Sequence, residues 1–142
     1  MEFSFRHQWS VQAPIDRVAE VLLDLEHYPE WWPQVVAVAK LDDDTARVLC
    51  RSRLPYTLAL VLSARERGPS HLRVDLDGDL VGWSTFDLTP TADGTDLGYR
   101  QQVALADPWL GRLARLGGPV LRWNHAQMMA GCREGLARRT QA

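Results

Sequence analysis

Lysine is almost missing from this chain of 142 residues. Lys40 is the only one, and the remaining cations are arginines. The net charge is -2 at pH 7, so no overall field draws the chain to nucleic acid or to an anionic membrane. Arg51, Arg53, Arg65, Arg67 and Arg73 are spaced as strand residues between apolar ones. That pattern reads as a solvated sheet face rather than a nucleic-acid patch. Cysteine is scarce: Cys50 and Cys132 stand far apart with no second metal-type pair. They read as buried free thiols, with a disulfide as the alternative. No run approaches the roughly 18 uninterrupted apolar residues of a membrane span. Met1–Arg6 has neither the basic leader nor the apolar stretch of a signal peptide, and a cytoplasmic location is expected. A Gly-x-Ser-x-Gly elbow, a phosphate loop and a dinucleotide fingerprint are all absent, and no cofactor is expected. Neither a repeat nor a low-complexity linker interrupts the chain, so one domain spanning 1–142 is expected, large enough to bury a core.

What is present is patterned. Phe3, Phe5, His7, Trp9 and Val11 alternate with polar residues, as on a half-buried strand. Ala13-Pro14 stops it. Pro14 suits the first helical position, where its missing N–H would be unpaired anyway, and Asp16 complements the helix dipole. Ile15, Val18, Ala19, Leu22 and Leu25 then follow helical spacing for about three turns. Tyr28-Pro29-Glu30-Trp31-Trp32-Pro33 allows at most a short helical turn, whose aromatics are expected to plug one end of the core. Strand-like segments follow at about 34–41, 45–53, 56–67, 70–77, 80–90 and 95–105. Asp42-Asp43-Asp44, Gly68-Pro69-Ser70, Asp77-Gly78-Asp79 and Ala92-Asp93-Gly94 punctuate them as turns of an antiparallel meander. The end is helical, with Asp107 as N-cap, Pro108 as first residue and Leu110, Leu113 and Leu116 recurring. Gly117-Gly118-Pro119 is expected to break or kink it, leaving a second segment from about Pro119 to Arg139.

This order of elements carries a resemblance. Ala13-Pro14-Ile15-Asp16-Arg17-Val18 is followed at once by Asp24-Leu25-Glu26-His27-Tyr28-Pro29-Glu30-Trp31-Trp32-Pro33, then the meander, then a long C-terminal helix. The whole chain resembles the START/Bet v 1-like helix-grip (SRPBCC) superfamily, and within it the polyketide cyclase/dehydrase-like group of small bacterial proteins. The resemblance implies an α+β fold in which a seven-stranded antiparallel sheet grips the C-terminal helix, with two short helices after the first strand. It also implies an apolar cavity between sheet and helix as the ligand site. None of the aromatase/cyclase catalytic residues matches this sequence position by position, so none is carried over.

Strand alternation assigns the inward faces. Tyr56, Leu58, Leu60 and Leu62 form the bulkier face of their segment, and Leu72, Val74 and Leu76 face inward in the next. Leu80, Gly82, Ser84, Phe86 and Leu88 share a face, as do Leu97, Tyr99, Gln101 and Val103. Ser84, Tyr99 and Gln101 are then polar groups on an otherwise apolar wall, the composition of a small-molecule site. The alternative is a filled core with the Tyr99 hydroxyl at its rim. On the last helix Leu121, Met128, Met129, Cys132 and Leu136 form an apolar arc, with His125 near its centre and Asn124 on its flank. His125 reads as a satisfied core histidine, a ligand contact or an acid–base group. No metal is expected, because no second ligand stands at i+3 or i+4. Gly131 and Gly135 signal close helix-to-sheet approach or room for a ligand. Asp75-Leu76-Asp77-Gly78-Asp79 resembles the start of a calcium loop, but Phe86 stands where the closing glutamate belongs, so a solvated hairpin is expected. Trp83 is expected on the outer face and Trp123 opposite the apolar arc, where a partner or a second copy could dock.

Three functions follow. The first is binding of a small hydrophobic ligand, lipid-, isoprenoid- or polyketide-like. The second is a cyclase or dehydratase in which His125 and Tyr99 move protons. The third is a protein-interaction domain using the outer tryptophans, with a homodimer among its forms. No paired carboxylates and no nucleophile–base pair stand in the expected cavity, which ranks binding first.

Overall fold

The structure, a computed structural model, describes residues 2–54, 56–106 and 108–141, and of residues 108–117 the backbone alone. Strand β1 (Glu2–Val11) leads into helix α1 (Ile15–Leu23) and a 3-10 helix, Leu25–Glu30. Strands β2 (Val35–Lys40), β3 (Thr45–Cys50), β4 (Leu58–Arg67), β5 (His71–Gly78), β6 (Leu80–Pro90) and β7 (Thr95–Leu105) follow, and helix α2 (Pro108–Gln141) ends the chain. The sheet has seven strands in the order β1-β7-β6-β5-β4-β3-β2, each antiparallel to its neighbour. Consecutive strands therefore pair through short turns, while β1 closes the far edge against β7. This is the expected seven-stranded helix-grip architecture, with α2 packed against α1, β1 and β7.

Four local expectations change. Pro14 sits at the N-cap rather than inside the helix: its extended ψ of 148° stops short of helical geometry. Its carbonyl still accepts from Arg17 N and Val18 N, at 3.0 and 3.1 Å. The strand expected over 45–53 ends at Cys50, and the one expected from 56 starts at Leu58. Arg51, Arg53 and Tyr56 thus lie in the β3–β4 connection, because its N–H groups bond elsewhere: Arg51 N to Gln34 O at 2.8 Å, and Arg53 N to the Asn124 side chain at 3.0 Å. Helix α2 does not stop at Gly117-Gly118-Pro119 but runs through it with Pro119 inside. A proline removes one backbone hydrogen bond, which the neighbouring turns of a long helix can absorb. The expected cap Asp107 and the contacts of Leu110, Leu113 and Leu116 lie outside the described residues.

The turn after α1 closes one end of the core as expected. Tyr28, Trp31 and Trp32 are buried, and their rings pack with centroids 4.9 to 5.7 Å apart. Tyr28 donates its hydroxyl to Leu22 O at 2.6 Å, and Trp32 Nε1 donates to Met128 O on α2 at 2.9 Å. Gly131 and Gly135 are why α2 can approach so closely. A Cβ on Gly135 would fall 1.7 Å from Trp31 O, and one on Gly131 1.9 Å from Gln34 Oε1. The close approach is thus to the turn preceding β2, not to the sheet, and neither glycine lines the cavity. Asp77-Gly78-Asp79 forms the expected β5–β6 hairpin, with Gly78 at φ 97°. Asp75 pairs with Arg65 at 2.7 Å on the solvent side. Cys50 and Cys132 are both free and buried.

Candidate functional site

Between the sheet and α2 lies a cavity of about 310 Å³. That is the lower end of the size range of small-molecule pockets, roughly 300–1,000 Å³. Its wall is built as the alternation requires. Tyr56, Leu58, Leu60, Leu62, Leu72, Val74 and Leu76 all line it, and so do Ser84, Phe86, Tyr99, Gln101 and Val103. From α2, Leu121, His125, Met128 and Met129 face it, while Cys132 and Leu136 belong to the closed core. Leu88 and Leu97 also fill core rather than line the cavity. Phe5, from the alternating set of the first strand, completes the wall from β1, together with Val38 of β2 and Val48 of β3, which the alternation reasoning did not reach.

The polar residues converge into one network. Register places Ser84 opposite Gln101 and Phe86 opposite Tyr99 on β6 and β7. The hydroxyls of Ser84 and Tyr99 are 3.2 Å apart, Tyr99 donates to Gln101 Oε1, and His125 Nε2 lies 3.0 Å from the same oxygen. A carboxamide oxygen only accepts, so His125 must donate from Nε2 and Ser84 must donate to Tyr99. That assignment leaves His125 Nδ1 as a bare acceptor, and this atom is buried without a partner. The imidazole ring stacks on Phe5 with centroids 3.6 Å apart and planes 13° from parallel, and His7 stands 5.5 Å away.

Burial decides the charge state of this network. It pushes the His125 imidazole down to about 3, with His7 and Arg122 adding repulsion against a further proton. It holds the Tyr99 phenol well above its ordinary range, only partly offset by the bond to Ser84. Near neutral pH both are uncharged. Among the described residues no group of three or more His, Cys, Asp or Glu side chains could hold a metal ion.

Asn124, placed on the flank of the arc, has a role that the helical spacing did not reveal. Its Oδ1 accepts from Arg53 N at 3.0 Å and Leu54 N at 3.2 Å, fastening the β3–β4 connection to α2 beside Tyr56. A lone asparagine next to a histidine carries no signal for a contact with a loop so distant in sequence. Of the two outer tryptophans, Trp83 is covered by Arg73, whose guanidinium lies 5.2 Å from the ring centroid, whereas Trp123 is half exposed.

A seven-stranded antiparallel sheet, a long helix across it and an apolar cavity between them define the helix-grip class. The chain belongs to the family described as polyketide cyclase / dehydrase and lipid transport, whose model matches residues 2–140. Solved structures share the fold at low identity. A START superfamily protein from Mycobacterium smegmatis is 17% identical, with a TM-score of 0.74 over 99% of this chain and 97% of its own. An aromatase/cyclase, Zhui, from a Streptomyces species is 12% identical, with a TM-score of 0.82 over 99% of this chain and 94% of its own. A protein from Thermus thermophilus is 18% identical, with a TM-score of 0.78 over 98% of this chain and 97% of its own. Among curated protein sequences nothing matches the chain.

Proposed function

We propose that residues 1–142 act as one domain that binds a small hydrophobic molecule, lipid-, isoprenoid- or polyketide-like, in the cavity between the sheet and α2. The observation that carries this reading is an apolar cavity of about 310 Å³ whose buried wall gathers Ser84, Tyr99, Gln101 and His125 into one compact polar cluster. Apolar walls supply affinity and a few placed polar groups supply orientation. Tyr56, Leu58, Leu60 and Val74 are the wall contacts proposed for the ligand's apolar body. Thermal-shift screening tests the reading: an apolar ligand at about 100 times its Kd adds about 2.7 kcal/mol of stability. If only sugars, nucleotides or metal ions raise the Tm, the reading fails.

The family and the aromatase/cyclase neighbour keep a second reading in view, in which His125 and Tyr99 carry out acid–base chemistry. The site favours it less. Proton transfer is most effective when the group's pKa lies near the working pH, and burial moves His125 and Tyr99 in opposite directions away from it. His125→Gln separates the two: loss of turnover with ligand affinity retained would support the cyclase reading.

A further inference from the structure

We infer that the cavity selects by charge, admitting an uncharged apolar molecule with a carbonyl-type hydrogen-bond acceptor and turning away carboxylates and ammonium ions. The inference rests on the ligand-binding reading above and narrows its ligand class.

Three observations carry it. The first is the composition of the buried wall. Among the described residues its polar members are Ser84, Tyr99, Gln101 and His125, with Tyr56 and Asn124 half-buried in the lining, and none is charged near neutral pH. The cations among the described lining residues, Lys40, Arg67 and Arg73, sit at exposed or half-exposed positions. Two of the three are already engaged: Arg67 lies 2.8 Å from Asp44, and Arg73 lies 3.4 Å from Asp75. Among the described residues no cation stands in the buried wall, so a carboxylate there would lack a counter-charge in contact, at a cost of several kcal/mol. An ammonium group meets the same penalty, because no carboxylate reaches the buried wall among the described residues.

The second observation is the exposed rim. The lining residues that reach solvent include Asp24 and Glu26 after α1, Asp42, Asp43 and Asp44 between β2 and β3, and Glu66 near the end of β4. This excess of carboxylates raises the energy of an approaching anion before it is desolvated.

The third is the direction of the hydrogen bonds. Tyr99 and His125 both end on Gln101 Oε1. The two N–H donors of the same carboxamide are used by neither. Among the described residues no partner takes those donors, so Gln101, which lines the cavity, offers them to a ligand, and a ketone, ester or ether oxygen is the complementary group.

The test is a matched naphthalene series titrated calorimetrically into the whole chain: the methyl ketone, the isopropenyl hydrocarbon, the carboxylate and the 1-aminoethyl cation. The ketone should bind at least roughly threefold tighter than the hydrocarbon, as one neutral hydrogen bond gives. Both ions should bind at least about 100-fold more weakly than the ketone. A carboxylate or ammonium within about tenfold of the ketone overturns charge selection and leaves the hydrophobic-ligand reading standing. A hydrocarbon that equals the ketone overturns the role given to Gln101. If neither the ketone nor the hydrocarbon binds, the ligand-binding reading itself falls, and this inference with it. Gln101→Met should remove the ketone's advantage over the hydrocarbon, and an advantage that survives counts against Gln101. Should that variant not fold, the ratios in the unaltered chain still decide. Finally, Glu26→Gln with Asp43→Asn should raise carboxylate affinity several-fold at low salt and leave the ketone unchanged. No change in the carboxylate overturns the part given to the rim.

Discussion

Two stretches of one helix face carry opposite tasks. Over residues 131–136, α2 is pressed against the turn before β2. Cys132 and Leu136 are wholly buried, and a methyl group at Gly135 would collide with Trp31 O. Over 121–129, the same face looks into unfilled space, and Leu121, His125 and Met128 are only partly buried. A continuous apolar arc thus changes function along its length. The closed stretch sets the height of the helix above the sheet, and the open stretch inherits the gap. The closed stretch holds the helix from outside the cavity, and bonds from Trp32 to Met128 O, from the β3–β4 connection to Asn124 and from His125 to Gln101 fasten it along the cavity wall.

The sharpest way to break this comparison is Gly135→Ala. Trp31 O is backbone and cannot swing aside, so the fold should lose at least about 3 kcal/mol, the upper end of ordinary overpacking. Urea denaturation measures it. Gly131→Ala should cost clearly less, since the Gln34 side chain it meets can move. Equal losses at the two glycines would undo the distinction. Next comes Leu136→Ala, expected to cost about 2–5 kcal/mol as a fully buried leucine. Leu121→Ala should cost under about 2 kcal/mol, because it enlarges space that already exists; its larger effect should be on ligand affinity.

A third prediction concerns pH. His125 has a folded pKa of about 3, below its ordinary 6.5. The unfolded chain takes up a proton below about pH 6.5 that the folded chain refuses until about pH 3. Stability is therefore fully present above pH 6.5 and lost as the pH falls, by up to about 1.4 kcal/mol per unit. His7 is also lowered by burial and acts in the same direction. His125→Gln, which keeps a donor for Gln101, should flatten Tm between about pH 6.5 and 4.5. An unchanged slope would mean that the open stretch carries no buried titrating group. The smallest effect is expected at Asn124→Ala. Losing its two bonds to the β3–β4 connection should cost about 1 kcal/mol and weaken ligand binding through Tyr56.

Much of the fold is legible from local pattern. The alternation of Leu58, Leu60 and Leu62, and of Leu97, Tyr99, Gln101 and Val103, assigns the same inward faces that the structure shows. The helical spacing from Leu121 to Leu136 likewise assigns the buried arc of α2. The turns at Asp42-Asp43-Asp44 and Asp77-Gly78-Asp79 fall where their residues demand. Less legible were the ends of elements. Arg51 and Arg53 continue a strand pattern, yet their segment leaves the sheet because Gln34 O and Asn124 Oδ1 take its N–H groups. The helix passes through Gly117-Gly118-Pro119 although each of those residues disfavours it.

By itself the sequence determined the order of the elements, their inward faces and the apolar character of the cavity. These follow from periods of two and 3.6 residues and from turn chemistry, all of which act between near neighbours. Only the tertiary structure decided which part of the α2 arc closes and which stays open. It also decided that Ser84, Tyr99, Gln101 and His125 form one uncharged network rather than scattered polar groups. Both depend on contacts between segments far apart in the chain: α2 against Trp31 and Gln34, and α2 against β7. Depth of burial, which holds His125 and Tyr99 neutral, belongs to the packed assembly and to no single segment of the chain.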